Sequence, residues 1–426
     1  MKVELAYGDG TLGVELPDAR TTVIRPVEQA GLVDEEAEFL IALDSPIGTE
    51  GLRKWVKNGE RVCIIFTDIT RATPNERIIP WLLNYLKAYG VGPERITLLN
   101  ALGTHRANTE EELCKLLTPE VVREYRVLNH EPENPEALVQ VGTTGDGTPA
   151  LLNRHAMEAD LRIVTGFIEP HFFAGFSGGP KGIMPGVAGL ETVMSNHGRK
   201  NIGNANAAFG VTGGNPLWEE MRDIALLAGR SFLVNVTLNE RRDITGVFAG
   251  DLTEAHRVGC EFVRNSAMQA VDGLFDIVIT TNSGYPLDQN LYQAVKGMSA
   301  AARIVKKGGA IIIAAECRAG VPGGSAFEAL LRKARDPEDI LALIAQTTYA
   351  EQWQAQIQAL IQRKARIFLH SSLGDEVIRG AHLLPARDIA AVVAQLLAEY
   401  GPAARIAALP QGPLTIAYLE QAQMEV

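Results

Sequence analysis

The chain has little cysteine and pairs none of it. Four cysteines in 426 residues (Cys63, Cys114, Cys260 and Cys317) stand singly, with no C-x-x-C spacing. That argues against a disulfide scaffold and against paired-thiolate zinc sites, and it predicts a reducing, cytoplasmic setting. No apolar run reaches the ~18 residues that a membrane-spanning helix needs. The opening MKVELAYGDGTLGVELP lacks a basic segment followed by an apolar core, so no secretion signal is expected. Positive charge is also scarce, with 40 Lys and Arg against 51 Asp and Glu and a net charge of −11. Nucleic acid and anionic membrane surfaces are therefore not expected partners, although a small anion could still be held locally. H-E-x-x-H, internal repeats and low-complexity tracts are missing as well.

What is present suits a globular chain long enough for two domains: 46% of residues are hydrophobic and 21% charged. After an alternating hairpin pattern over residues 2–16, an apolar strand at 61–66 ends in Asp68-Ile69-Thr70-Arg71. An amphipathic helix follows over 76–89. A second strand, 96–101, ends in Leu102-Gly103-Thr104-His105-Arg106. Thr109 and Glu112 are spaced as a capping box for the next helix. A third strand, 161–167, runs toward His171. Helices are predicted over 190–206, 218–227 and 254–271, with a strand at 232–238 between the last two. Beyond a polar connection at 269–273, a second unit begins with the strand 275–281 and the helix 290–306, which carries Tyr292, Gln293 and Lys296 on one side. The alternation of strand and helix predicts an α/β fold of two domains, 1–270 and 271–426, with largely parallel sheets. The active site is expected in the cleft between them.

Asp68, Arg71, His105 and His171 each fall just beyond the C-terminal end of an apolar strand, the edge where open parallel sheets bind ligands. The third of these ends opens the most unusual stretch of the chain, residues 165–189, TGFIEPHFFAGFSGGPKGIMPGVAG. Its 25 residues include seven glycines and three prolines, so it cannot continue as helix or strand, yet it is rich in Phe, Ile and Val. Such a loop reads as backbone wrapped around a ligand, or alternatively as a buried turn packing Phe against a sheet. GFSGGPKG has the flavour of a phosphate loop, and the Gly178 and Gly179 amides could cradle a phosphate. Pro180 and Gly182 flank Lys181 where the nucleotide-binding motif needs other residues, Ser or Thr after the lysine above all. A nucleoside triphosphatase is therefore not expected.

His105, His171 and His197 stand out among eight histidines. His130, His155, His256, His370 and His382 have no companion motif and read as surface or packing residues. Two strand-end histidines with an arginine could act as paired bases around a small carboxylate, with Arg71 gripping it bidentately and Lys296 closing from the second unit.

The blocks Asp68-Ile69-Thr70-Arg71, Ala101 to Arg106, Pro170 to Gly182, Asn196-His197 and Tyr292-Gln293-Ala294-Val295-Lys296 together resemble the nickel-pincer lactate racemase family, in order and over nearly the whole chain. The resemblance implies inversion at C2 of a 2-hydroxy acid through a 2-keto acid. It implies a nickel-pincer nucleotide cofactor, a pyridinium mononucleotide whose two sulfur-bearing arms and ring carbon hold Ni(II), made by dedicated partner enzymes. Lys181 would tether it through a thioamide and His197 would ligate the nickel. His105 and His171 would be the acid/base pair, and Arg71 and Lys296 the substrate grip. Asp68, Ser177, Gly178, Gly179, Pro180, Tyr292 and Gln293 would line the cofactor and substrate pocket. Larger or sugar-derived 2-hydroxy acids are the alternative substrates, and a non-catalytic carrier of nickel or of the nucleotide is the alternative role. Trp353 is a candidate pocket wall, or else a core residue.

Overall fold

The apolar run VCIIFT forms the strand Val62–Thr67, buried up to its last residue because both faces of its sheet are covered. A computed structural model describes residues 1–57 and 59–419 and places this strand inside a six-stranded sheet. Across that sheet the order is Ile244–Asp251, Ser231–Leu238, Leu161–Phe167, Val62–Thr67, Ile96–Ala101 and Arg126–Asn129. All neighbours are parallel except the first pair, which is antiparallel. The chain builds outward from Val62–Thr67 on one side, then returns to lay Leu161–Phe167 on the other. That reversal makes a switch point between the two strands, where flanking loops part and leave a crevice. The capping box forms as expected, Thr109 accepting from Glu112 N and Glu112 from Thr109 N.

A second six-stranded sheet is wholly parallel, in the order Leu384–Pro385, Arg366–His370, Val305–Ala314, Phe275–Thr281, Ile406–Leu409 and Thr21–Val23. Its last strand comes from the start of the chain. The hairpin Lys2–Tyr7 and Gly10–Glu15 packs there too, burying Val3, Leu5, Val14 and Leu16 against Ile277, Ile279 and Ile406. The N-terminal segment, grouped with 1–270 in the sequence reading, thus lies on the second sheet. Alternation marks a strand but not which sheet supplies its partner.

The helix expected over 254–271 stops at Ala267, and Met268–Val271 becomes a strand parallel to Ile416–Leu419. Nothing local ends that helix; a partner some 150 positions along the chain competes for its backbone groups. The stretch 190–206 divides into Leu190–Asn196 and Arg199–Ile202 around His197 and Gly198. Four further strands lacked a sequence signal: Arg126–Asn129, the edge strand Ile244–Asp251, and Leu138–Thr143 and Pro149–Asn153, which form a hairpin. Among the described residues no helix is long and apolar enough to cross a membrane.

Candidate active site

Three adjacent parallel strands, Leu161–Phe167, Val62–Thr67 and Ile96–Ala101, deliver their C-terminal loops to one place. After Val62–Thr67 the chain turns at once, Arg71 N donating to Asp68 O at 3.1 Å. Ile69 N donates to Asn108 Oδ1, which ties this loop to the one beyond Ile96–Ala101. That second loop turns at Gly103, whose φ of +58° suits glycine and whose N–H donates to Gly186 O of the third loop. The loops therefore hold one another as well as the ligand space between them.

That space is a cavity of about 150 Å³ lined by Arg71, His105, His171, Ser177, Gly178, Lys181 and His197 from the first sheet's side. The opposite wall comes from Tyr292, Gln293 and Lys296 of the helix Leu291–Ala302, and from Trp353 and Gln354 of the helix Trp353–Lys364. The expected convergence of Arg71, both histidines and Lys296 is present. Of the remaining named residues, Asp68, Gly179 and Pro180 do not line it.

Asp68 is almost completely buried and accepts from His105 Nδ1 at 2.7 Å and from Thr70 Oγ1 at 2.9 Å. Burial pushes its carboxyl up, but the His105 bond and charge, Arg71 and Thr70 prevail and hold it below the usual range. An ionised Asp68 keeps the His105 proton on Nδ1 and leaves Nε2 free as a base. His171 is arranged the other way round: its Nδ1 accepts from Ala174 N at 3.2 Å. In the neutral ring the proton then sits on Nε2, where it can hydrogen-bond to an oxygen. Burial keeps His171 neutral, reinforced by Lys181, Lys296 and Arg71. Hydrogen-bond geometry thus assigns the two rings opposite tautomers.

Phe173 is the hub that sequence reading noted only as apolar. Its ring meets His171 at 4.5 Å and His197 at 5.1 Å edge-on, and Lys181 Nζ lies 5.7 Å from its centre. Trp353 closes on His197 at 4.9 Å, so it is both a wall and a packed side chain. Burial drives the Lys181 amine well below the usual lysine range, with Arg71 and Lys296 adding to it. His197 is pushed down to about 3 by burial, then by Lys181, and its Nδ1 has no hydrogen-bond partner among the described residues. Glu169 was missed by sequence reasoning. It enters the site's charge balance through Lys296, Arg71 and Lys181, while burial raises its carboxyl.

The glycine loop differs in one respect from the phosphate cradle expected of it. Gly179 N is already spent on Asn235 Oδ1 at 2.7 Å. A Cβ at Gly179, where φ is +57°, would come within 2.3 Å of the His256 ring. His256 is fully buried and bonds Ser177 O through Nε2 at 2.9 Å, so this histidine supports the loop from behind. Gly179→Ala is expected to cost about 2–3 kcal/mol from the left-handed backbone and the ring clash, read as a lowered midpoint in denaturant unfolding.

Two family models match the chain: the lactate racemase N-terminal domain over residues 7–210 and the lactate racemase C-terminal domain over 271–416. The chain belongs to the lactate racemase family. Family membership makes it an enzyme, an isomerase. A lactate racemase from Lactiplantibacillus plantarum is 37% identical over 420 residues, covering 96% of this chain and 98% of its own. One from Thermoanaerobacterium thermosaccharolyticum is 37% identical over 396 residues, 91% of this chain and 92% of its own. The solved lactate racemase apoprotein of the latter organism superimposes with a TM-score of 0.91 at 35% identity, over 98% of this chain and all of that one. A Thermotoga maritima protein at 21% identity, with a TM-score of 0.69 over 92% of this chain and all of its own, shares the fold. The resemblance drawn from the five sequence blocks and the α/β fold with parallel sheets both hold.

Proposed function

We propose that this racemase-family chain inverts C2 of a small 2-hydroxy acid, lactate or a close analogue, in the cleft between its two α/β units. The observation that carries the reading is the pair of oppositely protonated histidines on one cavity. His105 Nε2, backed by Asp68, takes the substrate hydroxyl proton, and His171 returns one on the other face from its imidazolium form, which it reaches by first taking up a proton. For the reverse enantiomer the two exchange roles, which requires each ring to change its protonation. Arg71 and Lys296 bind the carboxylate: the guanidinium as a flat fork, the ammonium as a point charge. A non-catalytic carrier would have no use for the His105–Asp68 pair.

The residues fit a nickel-pincer nucleotide. Among the described residues no group of three or more His, Cys, Asp or Glu could hold a metal ion, so the metal's other donors would come from the cofactor itself. His197 supplies a neutral imidazole, a donor suited to Ni(II) beside sulfur. Lys181, buried and with its amine driven well below the usual lysine range, is the residue that would carry the cofactor through a thioamide. When bound, the cofactor supplies the hydride acceptor and donor for C2. Phe173, Trp353 and Tyr292 wall the space and keep water from it. The expected units 1–270 and 271–426 enter as the two sides of the cleft, with residues 1–24 packed on the second. Making the cofactor falls to separate enzymes.

The test is intact-mass and nickel analysis of protein produced alongside cofactor-making enzymes, followed by polarimetry on single-enantiomer lactate. A mass adduct, bound nickel and loss of rotation are expected; an unmodified mass without nickel would sink the reading.

Lys296 adds a pH signature. Its ammonium is pushed down to about 8 by burial, with Arg71 adding and Glu169 and Asp68 opposing. Below that pH it is charged and grips a carboxylate; above it the grip weakens. KM is expected to rise several-fold between pH 7 and 9, and the rise should vanish in Lys296→Met, whose KM is high throughout.

A further inference from the structure

A short segment, residues 351–356, is bonded to both walls of the cavity. Toward the loops of the first sheet, Thr104 Oγ1, one position before His105, donates to Glu351 Oε1 at 2.9 Å. Gln356 Nε2 donates to Arg199 O at 2.9 Å, two positions beyond His197, whose ring the Trp353 ring meets at 4.9 Å. Toward the helix Leu291–Ala302, Trp353 Nε1 donates to the Tyr292 hydroxyl at 3.1 Å and Gln354 Nε2 to the Tyr292 carbonyl. Tyr292 stands one helical turn before Lys296. The segment therefore links the loop of the proposed base to the helix of the proposed carboxylate grip.

Glu351 is the link nearest the base, and its backbone is unusual. Among the described residues six non-glycines have a left-handed backbone, and Glu351, with φ of +54°, is the one whose side chain bonds a loop of the cavity wall. Glycine would take that conformation without strain, and strain of this kind gathers at functional sites. Glu351 is half-buried and does not line the cavity, whereas Thr104 does. The other bonds of the His105 loop stay on its own side: His105 N donates to Leu102 O at 2.9 Å, Gly103 N to Gly186 O, and His105 Nδ1 pairs with Asp68. The Thr104 bond is the one of these that crosses to the opposite wall. Burial and then the Glu351 carboxylate push the Tyr292 phenol up, so the same carboxylate is felt on that wall.

We propose that Glu351 is a positioning residue, which by holding Thr104 sets His105 at the distance from Lys296 that a 2-hydroxy acid spans between its hydroxyl and its carboxylate. The inference rests on the racemase reading above and adds to it a residue that touches no substrate. Thr104 offers the hydroxyl proton and Glu351 the acceptor. Without that bond the base and the grip sit on walls with no direct tie at this point, and a misplacement of about 1 Å is enough to slow a reaction that needs both.

The experiment is a double-mutant cycle on cofactor-loaded protein, read as kcat/KM for lactate, or for whichever 2-hydroxy acid the parent inverts fastest, beside the midpoint of denaturant unfolding. Thr104→Val and Glu351→Ala are each expected to lower kcat/KM by roughly tenfold, the worth of one hydrogen bond to a carboxylate. The double variant should be no worse than either single one, because both changes remove the same bond. Thr104→Ser, which keeps the hydroxyl, should retain most of the rate. All four should keep the mass adduct, with midpoints close to that of the parent. A merely structural bond gives the reverse: coupling in the midpoint and an unchanged kcat/KM. That result overturns the proposal, as do additive losses in kcat/KM or a Thr104→Ser rate as low as that of Thr104→Val, and in each case inversion by the parent leaves the racemase reading standing. If Glu351→Ala does not fold, Glu351→Gly, which suits the left-handed backbone, takes its place in the cycle. An adduct-bearing parent that inverts no 2-hydroxy acid overturns the racemase reading, and this inference with it.

Discussion

His105→Ala and His171→Ala are each expected to lower the inversion rate by about 10²–10⁴-fold, the usual worth of a positioned acid or base, while the intact-mass adduct is retained. The two losses should differ in kind. His105 owes its form to Asp68, the buried carboxylate 2.7 Å from Nδ1. Asp68→Asn keeps the side chain's shape but offers its amide N–H₂ where an acceptor is needed, and the ring can turn its proton to Nε2. A drop approaching that of His105→Ala is therefore expected, with little change in KM. His171 has no carboxylate; its form rests on the backbone N–H of Ala174. No single side-chain change reproduces His171→Ala. Single-turnover measurements from each enantiomer would show it: His105→Ala should slow proton removal for one hand of the substrate first, and His171→Ala for the other. Loss of the mass adduct in either variant would show that the histidines serve attachment rather than proton transfer.

Lys181→Ala is expected to abolish both the adduct and the activity, leaving protein with its unmodified mass. Lys181→Arg separates charge from chemistry. An arginine restores the cation that a phosphate would need, but its guanidinium stays protonated and is a poor nucleophile. A covalent anchor predicts that the arginine variant fails like the alanine one. A purely electrostatic role predicts rescue. The structure leans on the first outcome through the environment of the amine, which lies beside Phe173 and is depressed by burial, Arg71 and Lys296. Because both variants alter a buried amine, and the arginine adds a permanent charge, thermal unfolding should accompany the mass measurement.

Much of this site was legible in the residues because its parts follow strand ends. Asp68, Arg71, His105 and His171 each stand within a few positions of an apolar run, and a parallel sheet sends all such ends to one edge. The interrupted hydrophobic loop at 165–189 pointed, through composition alone, to a ligand wrap or a buried turn, and its residues line the cavity. Less visible were groups whose role depends on what faces them. His256 read as an unremarkable histidine, yet it fills the space that the missing Cβ of Gly179 leaves. Glu169 looked like a loop residue, and its position among Arg71, Lys181 and Lys296 arises only when two units meet. The edge strand Ile244–Asp251 and the strand Met268–Val271 were missed for a related reason: their pairing partners, not their own patterns, decide their state.

The chain by itself therefore determined its class, its parallel α/β plan, its family and most residues of the candidate site, since periodicity, turn chemistry and motif order are local properties. Tertiary structure alone decided which sheet takes the first 24 residues and which hydrogen-bond partner each of His105 and His171 finds. These depend on distances between segments far apart in sequence, such as Gln354 and Tyr292 or His105 and Asp68. A hydrogen bond is set by geometry within a few tenths of an ångström, and no local pattern encodes it.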